Sequence, residues 1–539
     1  MTRAVEESAY DVVVLGAGPV GENVADRVRA AGLSAAIVEG ELIGGECSYW
    51  ACMPSKALLR PALARSDARK VAGLRESVYG PLDALEVFAH RNAVVGDWKD
   101  DGQVEWLDSI GVRLFRGHGR LAGARRVAVT GPEGDEHVLT ARHAVAVCTG
   151  SRAVLPDLPG LPGAHPWTSR EATSSGRVPE RLVVVGGGVV GVEMTTAYQA
   201  LGAKVTLLVR GGGLLPRMEP FVGEHVAAAL TARGADIRTG VRVAAVVRDG
   251  GTGPVTVVLE DGDHVEGDEV LFATGRAPRT GDIGLETVGL EPGAWLDVDD
   301  SLRVTGSDWL YAVGDVNHRA LMTHQGKYQA RIAGAAIAAR ASGGVRTSGG
   351  VRASGGVRTS GGVRTSGGAG ANGGPVPDAG PEANGTPEAN AAPDPNAAPD
   401  ADRAPDVDAG PWGAHAATAD RIAAPQVVFC DPEAAAVGLT LAEAERAGHR
   451  VRAVDVDMRQ VAGAGLYAQG YRGQARMVVD LDREVVLGAS FVGPGIGELL
   501  HSATVAVVGE VPIARLWHAV PSYPTLSEAW LRLLEAYRD

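Results

Sequence analysis

Two cysteines five positions apart, Cys47 and Cys52, carry the clearest chemistry in this chain of 539 residues. Glycines precede the pair, and residues 53–60 predict the start of a helix, with a proline near its beginning. Cys52 is therefore expected at or near a helix N-terminus, where the aligned backbone dipoles favour a thiolate and lower its pKa. A strained, exposed dithiol of this kind is a reversible redox couple. The alternative is two unrelated buried cysteines, which the specific surroundings of the pair disfavour.

A glycine-rich turn between two predicted strands lies just before the cysteines. Residues 10–15 form a short apolar run, a predicted helix extends to residue 31, and a second strand at 34–38 leads to Glu39. The turn has the spacing Gly-x-Gly-x-x-Gly, formed by Gly16, Gly18 and Gly21. Glycines at this spacing allow a pyrophosphate to approach the helix N-terminus closely, and Glu39 can accept a hydrogen bond from a ribose hydroxyl. The segment predicts a dinucleotide site, and the alternative is a glycine-rich turn without a ligand.

The same pattern occurs a second time further along the chain. A buried-looking strand at 181–185 leads into Gly186, Gly188 and Gly191, and a helix and a strand at 204–209 follow. Two dinucleotide sites together with a dithiol indicate that electrons pass between two cofactors and a disulfide. This combination is far more specific than any one of its parts.

The residue after the second strand bears on which nicotinamide cofactor binds. It is Arg210, where an acidic residue would favour the free ribose hydroxyls of NAD. An arginine favours the 2′-phosphate of NADP, and Arg217 is a candidate for a second phosphate ligand. The alternative is a pair of solvated surface arginines. The sequence therefore favours NADPH over NADH without settling the choice.

The dithiol segment, residues 44–56, resembles the redox segment of the class I pyridine nucleotide–disulfide oxidoreductases. That family includes dihydrolipoamide dehydrogenase, glutathione reductase and mercuric reductase. Its usual pattern is Gly-Gly-x-Cys-x-Asn-x-Gly-Cys-x-Pro-Ser-Lys. This chain keeps both cysteines but departs from the pattern between them, with Tyr49 in place of Asn, the bulky Trp50, and Ala51 in place of Gly.

The resemblance implies roles for residues elsewhere in the chain. It implies FAD at the first site, NADPH or NADH at the second, and a buried acid–lysine pair of Glu193 and Lys56 near the reactive edge of the flavin. Cys52 is then the thiol nearer the flavin, and Cys47 is the exchange thiol that faces the substrate. Residues 145–151, 271–278 and 311–315 resemble further family motifs. The cofactor-binding residues implied in this way are Gly16, Gly18, Gly21, Glu39, Gly45, Lys56, Thr149, Gly150, Gly186, Gly188, Gly191, Arg210, Arg217, Gly275, Arg276, Gly314 and Asp315.

The C-terminal tail is where the resemblance weakens. Residues 523–528, Tyr-Pro-Thr-Leu-Ser-Glu, align with the family's His-Pro-Thr-x-Ser-Glu, in which the His is the general acid–base and the Glu orients it. Tyr523 stands in place of that His, and a phenol, which titrates near pH 10, is a poor base at neutral pH. Glu528 is retained. His518 lies five residues before Tyr523; it is a candidate to replace the missing His, and a structural role is favoured for it.

These observations predict an α/β fold with two Rossmann-like dinucleotide-binding domains and an α+β C-terminal dimerisation domain. The FAD-binding domain is expected at 8–165 and 280–340, and the NAD(P)-binding domain at 166–279. Residues 341–424 include four six-residue repeats over 342–365 and a Pro- and Ala-rich stretch, which predict a disordered insertion. The dimerisation domain is expected at 425–539, because residues 427–440 resemble its opening in the family. A homodimer is implied.

Composition excludes several classes of protein. A net charge of −14 argues against a nucleic-acid binder, and no apolar run reaches the length of about 18 residues needed to span a membrane. The first ten residues contain no apolar signal region, so a cytoplasmic protein is expected. Four cysteines in so long a chain do not make a secreted disulfide scaffold, and a cytosolic disulfide is more often catalytic.

The predicted function is an FAD-dependent NAD(P)H oxidoreductase, similar to dihydrolipoamide dehydrogenase, that passes electrons to a Cys47–Cys52 disulfide and then to a small-molecule acceptor. Tyr523, His518 or water would then supply the acid–base group. The missing His favours an alternative, a quinone or metal-ion reductase with an auxiliary dithiol. A third possibility is a non-catalytic cofactor-binding sensor that signals through the 341–424 segment.

Overall fold

The computed structural model describes residues 5–251, 253–343 and 410–539. Residues 344–409, which form most of the predicted insertion, lie outside the described residues. The strands are β1 (Glu6–Leu15), β2 (Ala35–Glu39), β3 (Arg113–Arg116), β4 (His118–Leu121), β5 (Arg126–Thr130), β6 (Glu136–Val147), β7 (Ser151–Ala153), β8 (Arg181–Val185), β9 (Lys204–Val209), β10 (Asp236–Thr239), β11 (Val243–Arg248), β12 (Val255–Leu259), β13 (His264–Gly267), β14 (Glu269–Phe272), β15 (Arg276–Pro278), β16 (Leu310–Ala312), β17 (Gln426–Val428), β18 (Glu433–Gly438), β19 (Val451–Asp457), β20 (Gln474–Asp480) and β21 (Val485–Gly493). The helices are α1 (Pro19–Ala30), α2 (Gly45–Tyr49), α3 (Cys52–Arg69), α4 (Ala84–Val94), α5 (Asp101–Ser109), α6 (Ser169–Ser174), α7 (Val189–Ala200), α8 (Pro220–Ala232), α9 (Thr323–Ala341), α10 (Ala419–Ile422), α11 (Leu441–Arg446), α12 (Ala462–Tyr467), α13 (Leu500–Val508), α14 (Ile513–Leu516) and α15 (Ala529–Arg538).

The first domain is built on a seven-stranded sheet. Its strands run in the order β3-β2-β1-β6-β5-β4, and β16 also pairs with β6. β1, β2, β3, β6 and β16 are parallel, whereas β4 and β5 form an antiparallel extension. The end of β1, Val-Val-Val-Leu at 12–15, is buried on both faces, as expected of a parallel strand covered by helices on each side. The predicted strands at 10–15 and 34–38 are confirmed in β1 and β2.

The second domain repeats this design on a smaller scale. Four parallel strands lie in the order β10-β9-β8-β14, and β11, β12 and β13 form a separate antiparallel sheet. β8 and β9 have the bounds that the sequence predicted for the strands on either side of the second glycine-rich turn. The turn therefore joins the end of β8 to the start of α7, at the edge of the sheet where ligands bind in such folds.

The C-terminal domain is an antiparallel sheet covered by helices. Its five strands lie in the order β17-β18-β21-β20-β19. The core combines strand residues such as Met477 and Phe491 with Leu533 of α15, all fully buried. The predicted α/β class with two dinucleotide-binding domains and a C-terminal α+β domain is confirmed.

The structure corrects the end of the predicted insertion. Residues 410–424 were expected to be disordered, but they include α10 and pack against α9. Asp420 is buried, and its carboxylate accepts hydrogen bonds from Gln325 (2.9 Å) and Gln329 (2.9 Å) of α9. Arg421 also pairs with Asp300, and the Tyr328 hydroxyl donates to the carbonyl oxygen of Ala416. Composition hid these contacts because they are polar and involve no run of apolar residues.

Candidate active site around Cys47 and Cys52

The two thiols lie at the starts of two consecutive helices. Cys47 is in α2, Cys52 is the first residue of α3, and both cysteines are free. The predicted position of Cys52 at a helix N-terminus is confirmed. A hydrogen bond from Cys47 lowers the pKa of Cys52 to about 6, and the hydroxyl of Thr323, 3.3 Å from the Cys52 sulfur, acts in the same direction. The same hydrogen bond raises the pKa of Cys47. Cys52 is therefore the thiolate of the pair at neutral pH.

The first turns of four helices converge on this dithiol pair. Thr323 begins α9 and contacts Cys52 at the start of α3. A Cβ on Gly45, the first residue of α2, would lie 2.9 Å from the Cα of Gly18 at the start of α1. A Cβ on Gly326 would lie 2.5 Å from the side chain of Val20, so α1 and α9 pack closely in their first two turns. The starts of α1 and α9 therefore pack against each other and against the two helices that carry the cysteines.

The first glycine-rich turn has the geometry of a pyrophosphate site. Gly21 admits no side chain, because its Cβ would lie 1.9 Å from the carbonyl oxygen of Gly16. A Cβ on Gly18, the N-cap of α1, would have no atom within 4 Å, so the space beside this residue is open. This combination holds the turn tight and leaves the helix N-terminus open to an anion. Glu39 lies beside it, and its carboxylate accepts hydrogen bonds from the backbone of Ala17 (2.7 Å) and Glu41 (2.8 Å).

Polar groups at the end of β6 and β16 fit a flavin nucleotide. The hydroxyl of Thr149 is buried without a hydrogen-bond partner among the described residues, and a ligand hydroxyl or carbonyl could supply one. Burial raises the pKa of Asp315, which accepts a hydrogen bond from Ser151. Arg276 donates to the Ser151 hydroxyl (2.6 Å) and lies 3.8 Å from Asp315. Gly150 and Gly314 both have positive φ, and so has Gly275, which follows β14 of the second domain. The residues that the sequence singled out here do lie together.

An ion pair joins the dithiol helix to the second domain. The Lys56 ammonium lies 2.8 Å and 3.0 Å from the two carboxylate oxygens of Glu193, which is buried on α7. The same carboxylate accepts a hydrogen bond from the backbone of Phe429 (3.1 Å), whose ring lies 4.9 Å from the Lys56 nitrogen. The predicted pairing of these two residues is thus present in the structure. Phe429, from the third domain, was not foreseen.

The second glycine-rich turn has the same construction as the first. A Cβ on Gly191 would lie 1.8 Å from the Gly186 carbonyl oxygen, and Gly188 faces open space. Arg210 follows β9 directly, and both it and Arg217 are exposed. Neither forms an ion pair or a hydrogen bond within the described part of the chain. Both guanidinium groups could therefore bind a phosphate.

The tail residues do not meet in one protomer. Tyr523 is 77% exposed, and His518 is exposed as well. Glu528 is buried, and its carboxylate accepts a hydrogen bond from the backbone of Gly463 (3.3 Å). Within the described residues no contact joins Tyr523 to Glu528 or to the dithiol pair. Tyr523 is therefore not part of the dithiol site within one protomer.

Sequence reasoning missed a charged cluster beside Cys47. One carboxylate oxygen of Glu46 accepts hydrogen bonds from Arg170 (2.5 Å) and Arg279 (3.0 Å), and the other lies 3.5 Å from the guanidinium of Arg276. Arg170 also lies over the ring of Trp50, 4.1 Å from its centroid. The sequence feature that could have indicated this cluster is Glu46 itself, which occupies the variable position directly before the first cysteine. Thr323 was also missed, although it is the first residue of the helix that follows the 311–315 motif.

Comparison with known proteins agrees with this geometry. A model of the family "Pyridine nucleotide-disulphide oxidoreductase" matches residues 10–339, and a model of its dimerisation domain matches residues 424–534. The chain is 28% identical to a dihydrolipoyl dehydrogenase of Haloferax volcanii, over 97% of this chain and 95% of that protein. It is 25% identical to a mercuric reductase of Bacillus cereus, over 96% of this chain and 70% of that protein.

Solved structures show the same fold. The HOCl-induced flavoprotein disulfide reductase RclA of Escherichia coli superposes with a TM-score of 0.72 at 21% identity, covering 98% of this chain and 99% of that one. LpdA of Mycobacterium tuberculosis superposes with a TM-score of 0.73 at 22% identity and the same coverage. None of the helices that the structure describes is long and apolar enough to cross a membrane.

Proposed function

Since the chain belongs to the pyridine nucleotide–disulphide oxidoreductase family, we propose that its dithiol pair reduces a small-molecule disulfide similar to lipoamide. The protein is an FAD- and NAD(P)H-dependent oxidoreductase of the disulfide reductase type, and its dimerisation domain supports a homodimer. The observation that carries the proposal is the hydrogen-bonded pair at the start of α3, in which Cys52 has a pKa of about 6. The alternative of a quinone or metal-ion reductase is not favoured, because the dihydrolipoyl dehydrogenases are matched over almost their whole length and the mercuric reductase over only 70% of its length.

The proposed thiol chemistry uses the two cysteines in sequence. Cys47 passes its proton to the Cys52 thiolate, attacks the substrate disulfide, forms a mixed disulfide and displaces one thiolate, which takes a proton from the acid–base group of the site. Cys52 then attacks the Cys47 sulfur, its proton goes to the second leaving thiolate, and a Cys47–Cys52 disulfide remains. FAD, when bound, supplies the two-electron chemistry that returns this disulfide to the dithiol. Lys56, held by Glu193, places a positive charge next to Cys52 and lowers its pKa further.

The cofactor sites are assigned to the residues that the geometry brings together. Gly16, Gly18 and Gly21 with Glu39, Gly45, Thr149, Gly150, Gly314 and Asp315 form the proposed FAD site, and Gly186, Gly188, Gly191, Arg210, Arg217 and Gly275 form the proposed nicotinamide nucleotide site. Arg276 acts through Ser151 and Asp315. In the proposed homodimer Tyr523 faces the partner, and a cytoplasmic location suits a disulfide whose role is catalytic.

Anaerobic titration of the flavoprotein with NADPH tests the proposed function. We expect uptake of four electrons per flavin, because the dithiol pair and the flavin each accept two. A long-wavelength absorption band from the Cys52 thiolate should grow at the two-electron stage. Uptake of only two electrons without this band would show that the cysteines take no part, and the proposed function would fail.

Replacing Arg210 with alanine is expected to raise the KM for NADPH about tenfold, equivalent to about 1.4 kcal/mol of binding, and to change the KM for NADH less than about twofold. The reason is that a guanidinium at the end of β9 binds the 2′-phosphate, which only NADPH carries. Steady-state kinetics with both cofactors measure the effect. Lys204→Ala, at the exposed start of the same strand, serves as the matched control. Equal changes for the two cofactors would argue that Arg210 does not read the phosphate.

A further inference from the structure

Glu22 is the unpaired carboxyl among the helix turns that surround the dithiol pair. It lies in the first turn of α1, and of the four converging helices only α1 and α2 carry an acid in that turn. The acid of α2 is Glu46, whose carboxylate is bound by three arginines. Glu22, by contrast, forms no side-chain hydrogen bond or ion pair with any residue in the described ranges. A carboxyl left unpaired at a reactive centre is a candidate for proton transfer.

The surroundings of Glu22 favour its protonated form. Burial raises its pKa to about 8, the Lys327 ammonium on α9 opposes this shift, and the Glu39 carboxylate at the end of β2 adds to it. The Tyr49 phenol on α2 also lies within electrostatic range of Glu22. Lys327 acts on the Cys47 thiol as well as on Glu22, and it follows Thr323 by one helical turn. Lys327 is therefore within electrostatic range of both Glu22 and Cys47.

We propose that Glu22 is the acid–base residue of this active site, donating a proton to the thiolate that leaves when Cys47 attacks a substrate disulfide. This inference rests on the proposed function. The geometry behind it is the convergence of α1, α2 and α9 on the dithiol pair, with Gly45 against Gly18 and Gly326 against Val20. The tail has Tyr523 where an acid–base histidine would stand, so an acid from the same protomer fills the need.

The proton and electron balance is complete without a further reactant. The reduced pair carries one thiol proton and one thiolate, and Glu22 carries a second proton. Cys47 passes its proton to the Cys52 thiolate as it attacks, which breaks the substrate disulfide and forms the mixed disulfide, and the first leaving thiolate takes the Glu22 proton. The remaining thiol proton passes through the Glu22 carboxylate to the second leaving thiolate as Cys52 attacks Cys47. Two thiols leave, the enzyme holds a disulfide, and Glu22 regains its proton in the next reduction.

The test compares two disulfides that differ in their need for an acid. Lipoamide releases an alkyl thiolate, whereas 5,5′-dithiobis(2-nitrobenzoate) releases an aromatic thiolate that is stable without a proton. With the holoenzyme and NADPH, Glu22→Gln is expected to slow lipoamide reduction about thirtyfold, below the usual range for a lost acid because water can replace part of its function. Reduction of the aromatic disulfide should change less than about twofold.

The pH profile gives a second readout. Glu22 is protonated below its pKa and Cys52 is a thiolate above its own, so the wild-type rate with lipoamide should be highest between about pH 6 and pH 8 and fall as the pH rises through about 8. Glu22→Gln should lose this fall, and Glu22→Asp should keep it at a reduced rate. Asp26→Asn, which removes a carboxylate one turn further along α1, should behave as wild type.

Two results would overturn the inference: wild-type rates with both disulfides in Glu22→Gln, or equal slowing of both. If the wild-type enzyme reduces neither disulfide, both the proposed function and the proposed role of Glu22 fail. The two proposals can also be separated. If the wild-type enzyme takes up four electrons and Glu22→Gln reduces lipoamide at the wild-type rate, the proposed function is supported and the role of Glu22 is excluded.

Discussion

Replacing Cys52 with serine is expected to lower NADPH-dependent reduction of lipoamide by at least about a thousandfold, since the thiolate is the nucleophile and a serine hydroxyl does not ionise at neutral pH. The variant cannot resolve the mixed disulfide at Cys47, so one substrate equivalent should remain bound as a covalent adduct. Flavin content and NADPH-dependent reduction of ferricyanide should stay within about twofold of wild type, because neither uses the thiol. Steady-state rates and mass spectrometry of the adduct measure these effects.

The thiolate itself provides an independent readout. In the reduced wild-type enzyme the long-wavelength band should be present above pH 6 and fade as the pH falls through about 6, the pKa of Cys52. The band should be absent at every pH in Cys52→Ser.

Cys430→Ser is a matched control for Cys52→Ser. Cys430 is buried and contacts neither cysteine of the dithiol pair, and its sulfur contacts the carbonyl oxygens of Val428 and Pro432, which a serine hydroxyl can also reach. Wild-type rates are expected for this control. Lipoamide reduction by Cys52→Ser at more than a tenth of the wild-type rate would exclude the dithiol mechanism.

Replacing Lys56 with methionine is expected to slow turnover with every acceptor by several hundredfold, in the range of about 10² to 10³ seen when a preorganised charge is removed. It should also lower the free energy of unfolding by about 3 kcal/mol, because Glu193 stays buried without its partner. The Lys56 ammonium contacts both carboxylate oxygens of Glu193. No other cation among the described residues forms an ion pair with this carboxylate. Stopped-flow reduction by NADPH and chemical denaturation of the holoenzyme measure the two losses.

The double variant Lys56→Met/Glu193→Gln separates the two effects. A neutral glutamine removes the unpaired charge and can still accept the hydrogen bond from the Phe429 backbone. We therefore expect the double variant to recover most of the stability but not the rate. Recovery of the rate as well would mean that Lys56 matters only through folding.

The features that follow from short-range patterns could be predicted from the sequence. The two glycine-rich turns, the strands beside them and the position of Cys52 at a helix start depend on residues within about one supersecondary unit of one another. The pairing of Lys56 with Glu193 joins distant segments, and it was predicted only because both segments resemble family motifs.

The features that were missed depend on contacts between distant charged residues. The partners of Glu46 are Arg170, Arg276 and Arg279, of which the sequence singled out only Arg276, and nothing local to any of the three points to Glu46. Glu22 has the ordinary pattern of an acid in a first helical turn, which is favourable on any solvated helix. Its unusual environment arises only when α9 packs against α1. The fold of 410–424 was missed because a low-complexity composition conceals one buried carboxylate.

The contacts at both edges of the 344–409 segment bear on how this gene can change. On one side α9 continues to Ala341, and on the other Asp420 is fixed to Gln325 and Gln329 of the same helix. Closing a chain between two fixed points costs only about 0.6 kcal/mol more for each doubling of its length. Slippage during DNA replication readily adds or removes units of a tandem repeat such as the six-residue units at 342–365. Alleles with different numbers of these repeats should therefore be close to neutral under selection.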